Sequence, residues 1–403
     1  MNDQTLRLDS VAAIPRDKPA WGAVFSMMLG VFGLVTAEFL PASLLTPMAA
    51  DLRVTEGAAG QAVTATAAMA LVASLLIAPA TRGLDRRRVL LGFSFLLIVS
   101  NLLVAFAPNL PVLLGGRLLL GAALGGFWAM ATAVVMRLVP ATLIPRALSI
   151  LFSGVSAATV LAAPVGSYLG DVLGWRDVML IAAAIGALAL VVQFATLPSL
   201  APSGSARLGT LVEVAMRPGI GIALLAAALV FTGHFALFTY VRPYIEIVTH
   251  AGINAVSGVL LGFGIANFFG AYFGGMIIAR SMRLTRVIMP LAMGIVGLVL
   301  SVAGGSIIAV AAMVALWGLA FGAVPVAWST WLARSIPDEA ESGGGLLVAS
   351  IQLAITLGAA LGGVVFDMTG PRGVFGAAGA ILVLAALVIG LGVKVREAKA
   401  GAV

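Results

Sequence analysis

The chain is predicted to fold as an all-α membrane protein, a bundle of twelve transmembrane helices in two pseudo-symmetric six-helix halves. Three observations predict it: an apolar composition, apolar runs of membrane-spanning length, and an internal repeat. Hydrophobic residues make up 61% of the 403 residues and charged residues only 10%. A soluble domain carries roughly 25% charged residues. About 20 apolar residues cross a bilayer as a helix. Runs of that kind lie near 21–46, 57–80, 89–107, 112–136, 147–170, 178–197, 218–241, 255–279, 287–303, 307–333, 345–366 and 374–393. Barrel strands alternate apolar and polar residues, and these runs do not. The one long polar connection divides the spans six and six. The expected organisation is a tail at 1–20, a half at 21–197, a linker at 198–217, a half at 218–393 and a tail at 394–403.

Charge placement supplies the orientation. With a cytoplasmic N-terminus and alternating sides, the inner side receives eighteen of the 23 Lys and Arg residues. Only Arg53, Arg176, Arg242 and Arg372 fall outside, and Arg117 is embedded in the fourth run. That asymmetry follows the positive-inside rule with both termini cytoplasmic. The net charge of +7 is therefore a topology signal and leaves no nucleic-acid face. The N-terminal tail is polar and mixed in charge, unlike a cleavable leader, so the first run is expected to serve as an uncleaved insertion signal.

Laying residue n on n+196 or n+197 aligns the two halves. Thr36-Ala37-Glu38-Phe39 falls on Thr232-Gly233-His234-Phe235, and Pro47 on Pro243. Gly121, Gly125, Arg137 and Pro140 fall on Gly318, Gly322, Arg334 and Pro337; Gly166 and Asp171 fall on Gly362 and Asp367. Two parallel six-helix repeats are the plan of a major-facilitator transporter, whose cargo site lies near the midplane between the halves.

Catalytic classes lack their reagents. There are no cysteines and only two histidines, His234 and His250, which argues against thiolate chemistry and a His-rich metal centre. No phosphate-loop motif is present. The chain is expected not to be an enzyme and to need no cofactor or metal.

The polar residues at depth are the candidates. Fifteen of the sixteen Asp and Glu residues lie in breaks or tails, and Glu38 alone interrupts a span. A carboxylate at membrane depth is costly and functional by default, so Glu38 is the candidate proton carrier. Its bland reading is a protonated side chain bonded to a neighbouring helix. His234, at the repeat-related position, is a second protonatable group, a base-recognising group, or a neutral core histidine. Trp317, Phe321, Trp328 and Trp331 fall within about 80° on a helical wheel. With Trp128 they form the candidate stacking surface, where a base gains about 1–3 kcal/mol in nucleic-acid binders. Trp331 is expected instead to anchor at the interface. Gln352, Thr356, Asn267, Ser153 and Ser156 are uncharged cavity candidates that also serve as ordinary helix contacts. Arg117 is open between countering Glu38, touching cargo and holding structure.

Leu29–Leu52, with Glu38-Phe39-Leu40-Pro41 and Leu44-Leu45-Thr46-Pro47, resembles the first span of the twelve-span drug:proton antiporter family. Gly116-Arg117-Leu118 through Met130, Tyr240-Val241-Arg242-Pro243, and Trp317 through Trp331 resemble its bacterial purine ribonucleoside exporters. The resemblance runs from Trp21 to about Val393. It implies proton-driven export of inosine, guanosine and analogues from a bacterial inner membrane, by a chain working as a monomer. It also implies a structural role for Arg117 on the carbonyls of the first span. One departure lies after the second span, where Arg82 stands in place of the family's gate aspartate; Asp85, three residues on, is the substitute. Ala163-Pro164-Val165-Gly166 is a weakened form of the fifth-span signature, making Pro164 a gating candidate. Sugars, drugs and free purine bases remain alternative cargoes, and a passive channel is the alternative from another class.

Overall fold

The structure, a computed structural model, describes residues 19–81, 83–201, 208–336 and 340–392. Among them it is helical from end to end. The first half comprises α1 (Trp21–Ser43), α2 (Leu45–Leu52), α3 (Glu56–Ala80), α4 (Arg86–Ala105), α5 (Leu110–Leu138), α6 (Ile144–Val172) and α7 (Trp175–Thr196). A short α8 (Leu208–Ala215) precedes the second half: α9 (Ile220–Thr239), α10 (Val241–Thr249), α11 (Ile253–Arg280), α12 (Met282–Val302), α13 (Ile307–Ser335) and α14 (Ala340–Gly392). Among the described residues eleven helices are long and apolar enough to cross a membrane, and α14 has the length of two spans.

The repeat is visible in the backbone. Leu44 breaks the first span of one half, three residues after Pro41, and Tyr240 breaks the equivalent span of the other, so α2 and α10 are matching short extensions. Both extensions end on a left-handed residue, Arg53 at φ 56° and His250 at φ 53°. Asp85 caps α4 and Ser281 caps α12, each accepting a main-chain N–H of the first turn. Gly174 (φ 98°) starts α7, and Gly370 (φ 74°) marks the kink within α14. Both glycines hold a backbone conformation that costs other L-residues energy. The runs expected at 345–366 and 374–393 are thus joined through Gly370 and Pro371 without a separating coil.

Close helix contacts build each half. A Cβ on Gly125 of α5 would run into the Ala70 carbonyl of α3, and one on Gly322 of α13 into the Asn267 carbonyl of α11. In lipid, small residues are what let helix backbones approach. Replacing Gly125 or Gly322 by Ala should destabilise the protein by about 1–3 kcal/mol through overpacking. Gly92→Ala on α4, where the added methyl meets nothing within 4 Å, should be neutral or stabilising. Thermal unfolding in detergent compares the three; equal losses would contradict the packing argument.

Candidate functional site

The first spans of the two halves meet at their aromatic residues. Phe39 of α1 lies edge to face with Phe238 of α9 at 5.4 Å between ring centroids. Glu38 precedes Phe39 and His234 lies one turn before Phe238. The two repeat-related polar residues therefore flank one contact between the halves.

Glu38 is half-buried. Its carboxylate makes no ion pair or hydrogen bond among the described residues. Its main chain is held firmly. Arg117 of α5 is fully buried; its Nη1 donates to the Ala37 carbonyl at 2.9 Å and its Nη2 to the Glu38 carbonyl at 3.4 Å. Nε donates to the Ala62 carbonyl of α3 at 3.3 Å. Thr66 of α3 closes the arrangement by donating to the Arg117 carbonyl at 3.3 Å. The guanidinium thus serves main-chain oxygens of two other helices.

His234 is 2% exposed. The Trp317 indole N–H donates to its Nδ1 at 3.0 Å, which leaves Nε2 to carry the proton of the neutral ring. Phe321 stacks on the imidazole at 3.2 Å with planes 4° apart. Phe235, Phe238 and Phe263 complete the surround. The sequence reading missed these three phenylalanines. Phe231, His234, Phe235 and Phe238 carry helical spacing, which was the available signal.

Other candidates divide. Phe321 and Trp128 are half-buried, and Trp128 stacks on Phe152 at 5.9 Å. Gln352 is buried, and Thr356 donates to its carbonyl at 2.8 Å. Asn267 donates to the Gly318 carbonyl at 3.4 Å. Ser153 and Ser156 donate to carbonyls of their own helix, at Ile150 and Phe152. Trp328 is 1% exposed and turned toward α12, so in this structure it packs rather than lining an open space. Trp331 is corrected: it is 3% exposed among protein side chains, not anchored at an interface. An indole beside the Arg286 guanidinium is held there by the cation.

At the end of the bundle carrying α2 and α10, hydrogen bonds cross between the halves. Arg242 donates to the Ser43 carbonyl at 2.6 Å and pairs with Glu246 at 2.8 Å. The Thr46 hydroxyl donates to the same carboxylate. Asp367 accepts from the Thr55 hydroxyl at 2.9 Å and from the Gly57 N–H at 3.3 Å. The Arg242-x-x-x-Glu246 spacing was a readable signal for this pair. Its repeat mate Asp171, matched to Asp367 by sequence, is exposed.

At the opposite end Asp85 accepts from the Arg87 N–H at 2.7 Å, from the Leu200 N–H at 3.1 Å and from the Ser199 hydroxyl. Partial burial would raise its carboxyl. The bonds from Ser199, Leu200 and Arg87, with the Arg88 charge, outweigh that and hold it below the usual carboxylate range. Arg82 lies outside the described residues. Pro164 is buried inside α6, beside Gly166, which packs on Leu40 and Ser43 of α1.

Comparison with known proteins agrees with this architecture. The model of the Major Facilitator Superfamily matches residues 27–347. The purine ribonucleoside efflux pump NepI of Salmonella typhimurium is 43% identical over 97% of this chain and 98% of its own length. The protein of that name from Escherichia coli K12 is 44% identical over 94% of this chain and 96% of its own. Among solved structures, a D-xylose–proton symporter superposes with a TM-score of 0.73 at 17% identity, covering 94% of this chain and 98% of that one; at that identity it shows the fold alone.

Arg117→Met should cost about 3 kcal/mol of stability, because three buried carbonyls lose a charged donor at once. Arg117→Lys should recover only part of this, since one ammonium cannot reproduce the fork. Full recovery by Lys, measured by thermal unfolding, would mean that charge alone matters there.

Proposed function

The chain belongs to the Major Facilitator Superfamily, and on that premise we propose a proton-coupled exporter of purine ribonucleosides such as inosine and guanosine. It works by alternating access in a bacterial inner membrane, with both termini cytoplasmic. The observation that carries the reading is Glu38, a carboxylate without a fixed partner beside the contact between the halves. The similarity to NepI pumps over nearly the whole chain supports the cargo.

With the arginine-rich end cytoplasmic, the crossing bonds at Ser43, Thr46, Thr55, Arg242, Glu246 and Asp367 lie on the outer side. They hold the halves together there, so the resting molecule takes cargo from the cytoplasm. A nucleoside entering between α1 and α9 meets the Phe321 face, with His234 Nε2–H and Trp128 as further base contacts. Gln352, Thr356, Asn267, Ser153 and Ser156 serve the ribose or the base edges. Cargo binding displaces the Glu38 proton to the cytoplasm. The halves then rock, the outer bonds break, and protonation of Glu38 from outside releases cargo. Each charge moved across the membrane gains about 2.3 kcal/mol per 100 mV, enough to expel a neutral nucleoside against its gradient. Arg117 fixes the height of Glu38, while Asp85 governs the inner gate and Pro164, beside Gly166 where it packs on Ser43, the outer one.

Inside-out vesicles with an acidic interior should accumulate inosine with the wild-type protein and fall to the level of empty vesicles with Glu38→Gln. Equal accumulation by both would sink the proton role; accumulation of a sugar or drug in place of inosine would remove the cargo. The outer bonds have their own test, because the native chain has no cysteine. A single Ala42→Cys reporter, buried against the second half, should react faster with an externally added impermeant thiol reagent when Glu246→Gln is present. A bond to a charged group is worth about 1.5–3 kcal/mol, so labelling should rise by roughly tenfold or more. An unchanged rate would rule out a latch.

A further inference from the structure

Arg286 is the buried charge that transport leaves unused. It lies in the second turn of α12, 2% exposed, and its Nε, Nη1 and Nη2 have no hydrogen-bond partner. Trp328 and Trp331 of α13 close over it, each ring centroid 5.5 Å from the guanidinium carbon. Trp331 Nε1 is also buried without an acceptor. Two indole faces attract a cation but accept none of its N–H bonds. A desolvated charge in that condition is among the most costly arrangements in a protein. No Asp or Glu occurs between Glu246 and Asp338, so α11, α12 and α13 carry no carboxylate of their own.

The surroundings favour an anion from outside the chain. Arg280 and Arg283 stand exposed at the same end, and Arg283 already donates to the Gly390 carbonyl at 2.7 Å. On the far side of α12, Leu284 is 56% and Ile288 42% exposed, a face that meets lipid in a membrane-spanning helix. The guanidinium thus lies in the second turn of a membrane-spanning helix, across that helix from its exposed apolar face. We propose that Arg286 and Trp331 Nε1 form an oxyanion site between α12 and α13 that takes a phosphate group, from an anionic lipid headgroup or from free phosphate. The planar fork of Arg pairs two phosphate oxygens at once, the indole N–H supplies a third donor, and the Trp328 ring keeps water away. Basic pockets between transmembrane helices are suited to such headgroups. Entry requires the two indoles to part, and the bound anion then ties α12 to α13.

The test is thermal unfolding of the full chain in neutral detergent with added phosphatidylglycerol, phosphatidylcholine, or sodium phosphate, the last against sodium chloride at equal ionic strength. Phosphatidylglycerol should raise the wild-type midpoint by roughly 3 °C or more above phosphatidylcholine. Arg286→Gln should abolish that difference, and Trp331→Phe, which keeps the ring and removes the N–H, should reduce it. Where Arg286→Gln does not fold, Arg286→Lys takes its place and should show a smaller rise than the wild type. A rise with sodium phosphate alone assigns the site to the free anion; a rise with phosphatidylglycerol alone assigns it to lipid. No rise with either anion, or an equal rise in the variants, overturns the proposal.

Discussion

Arg117 directs its donors to three carbonyls on two other helices, and the geometry of the first half depends on that junction. In a bundle this apolar, an unmet guanidinium is costly, so the three bonds of Arg117 hold α1, α3 and α5 in mutual height. Gly121 and Gly125, one face further along α5, let α3 come within backbone contact. Ala37 and Glu38 supply two of the three carbonyls, so the guanidinium bonds the main chain beside the Glu38 carboxylate and not the carboxylate itself.

The second half solves the same packing problem without a central cation. Its equivalent of Glu38 is His234, enclosed by Trp317, Phe321 and three more phenylalanines. One half of this transporter thus brings a carboxylate without a hydrogen-bond partner among the described residues, the other an aromatic wall. They meet at Phe39 and Phe238. The bonds of Arg242, Glu246 and Asp367 to the first half close one end of that meeting, from a buried bond at Ser43 to an exposed one at Thr55.

Span positions were legible because bilayer thickness sets run length, and α3, α5, α7, α11 and α13 lie within a few residues of the expected runs. The halves were legible through matched polar and glycine positions, and the caps Asp85 and Ser281 and the turns Arg53 and His250 extend that match. Helix faces were not legible. Where nearly every residue is apolar, periodicity carries little information about which side is buried. Trp328 and Trp331 were therefore placed toward a cavity and an interface when they cover Arg286. Arg286 itself read as one more inner-side charge, since only three-dimensional packing distinguishes a loop arginine from one enclosed two turns later. The breaks at Leu44 and Tyr240 were not legible either, because both residues lie inside the apolar runs at 21–46 and 218–241.

The central claim is that cargo and proton compete through Glu38. The direct measurement is proton release from purified protein in weakly buffered detergent on adding inosine, followed with a pH-sensitive dye. The account predicts release by the wild type and none by Glu38→Gln when both bind inosine. Binding without release in the wild type, or equal release by the variant, would contradict it.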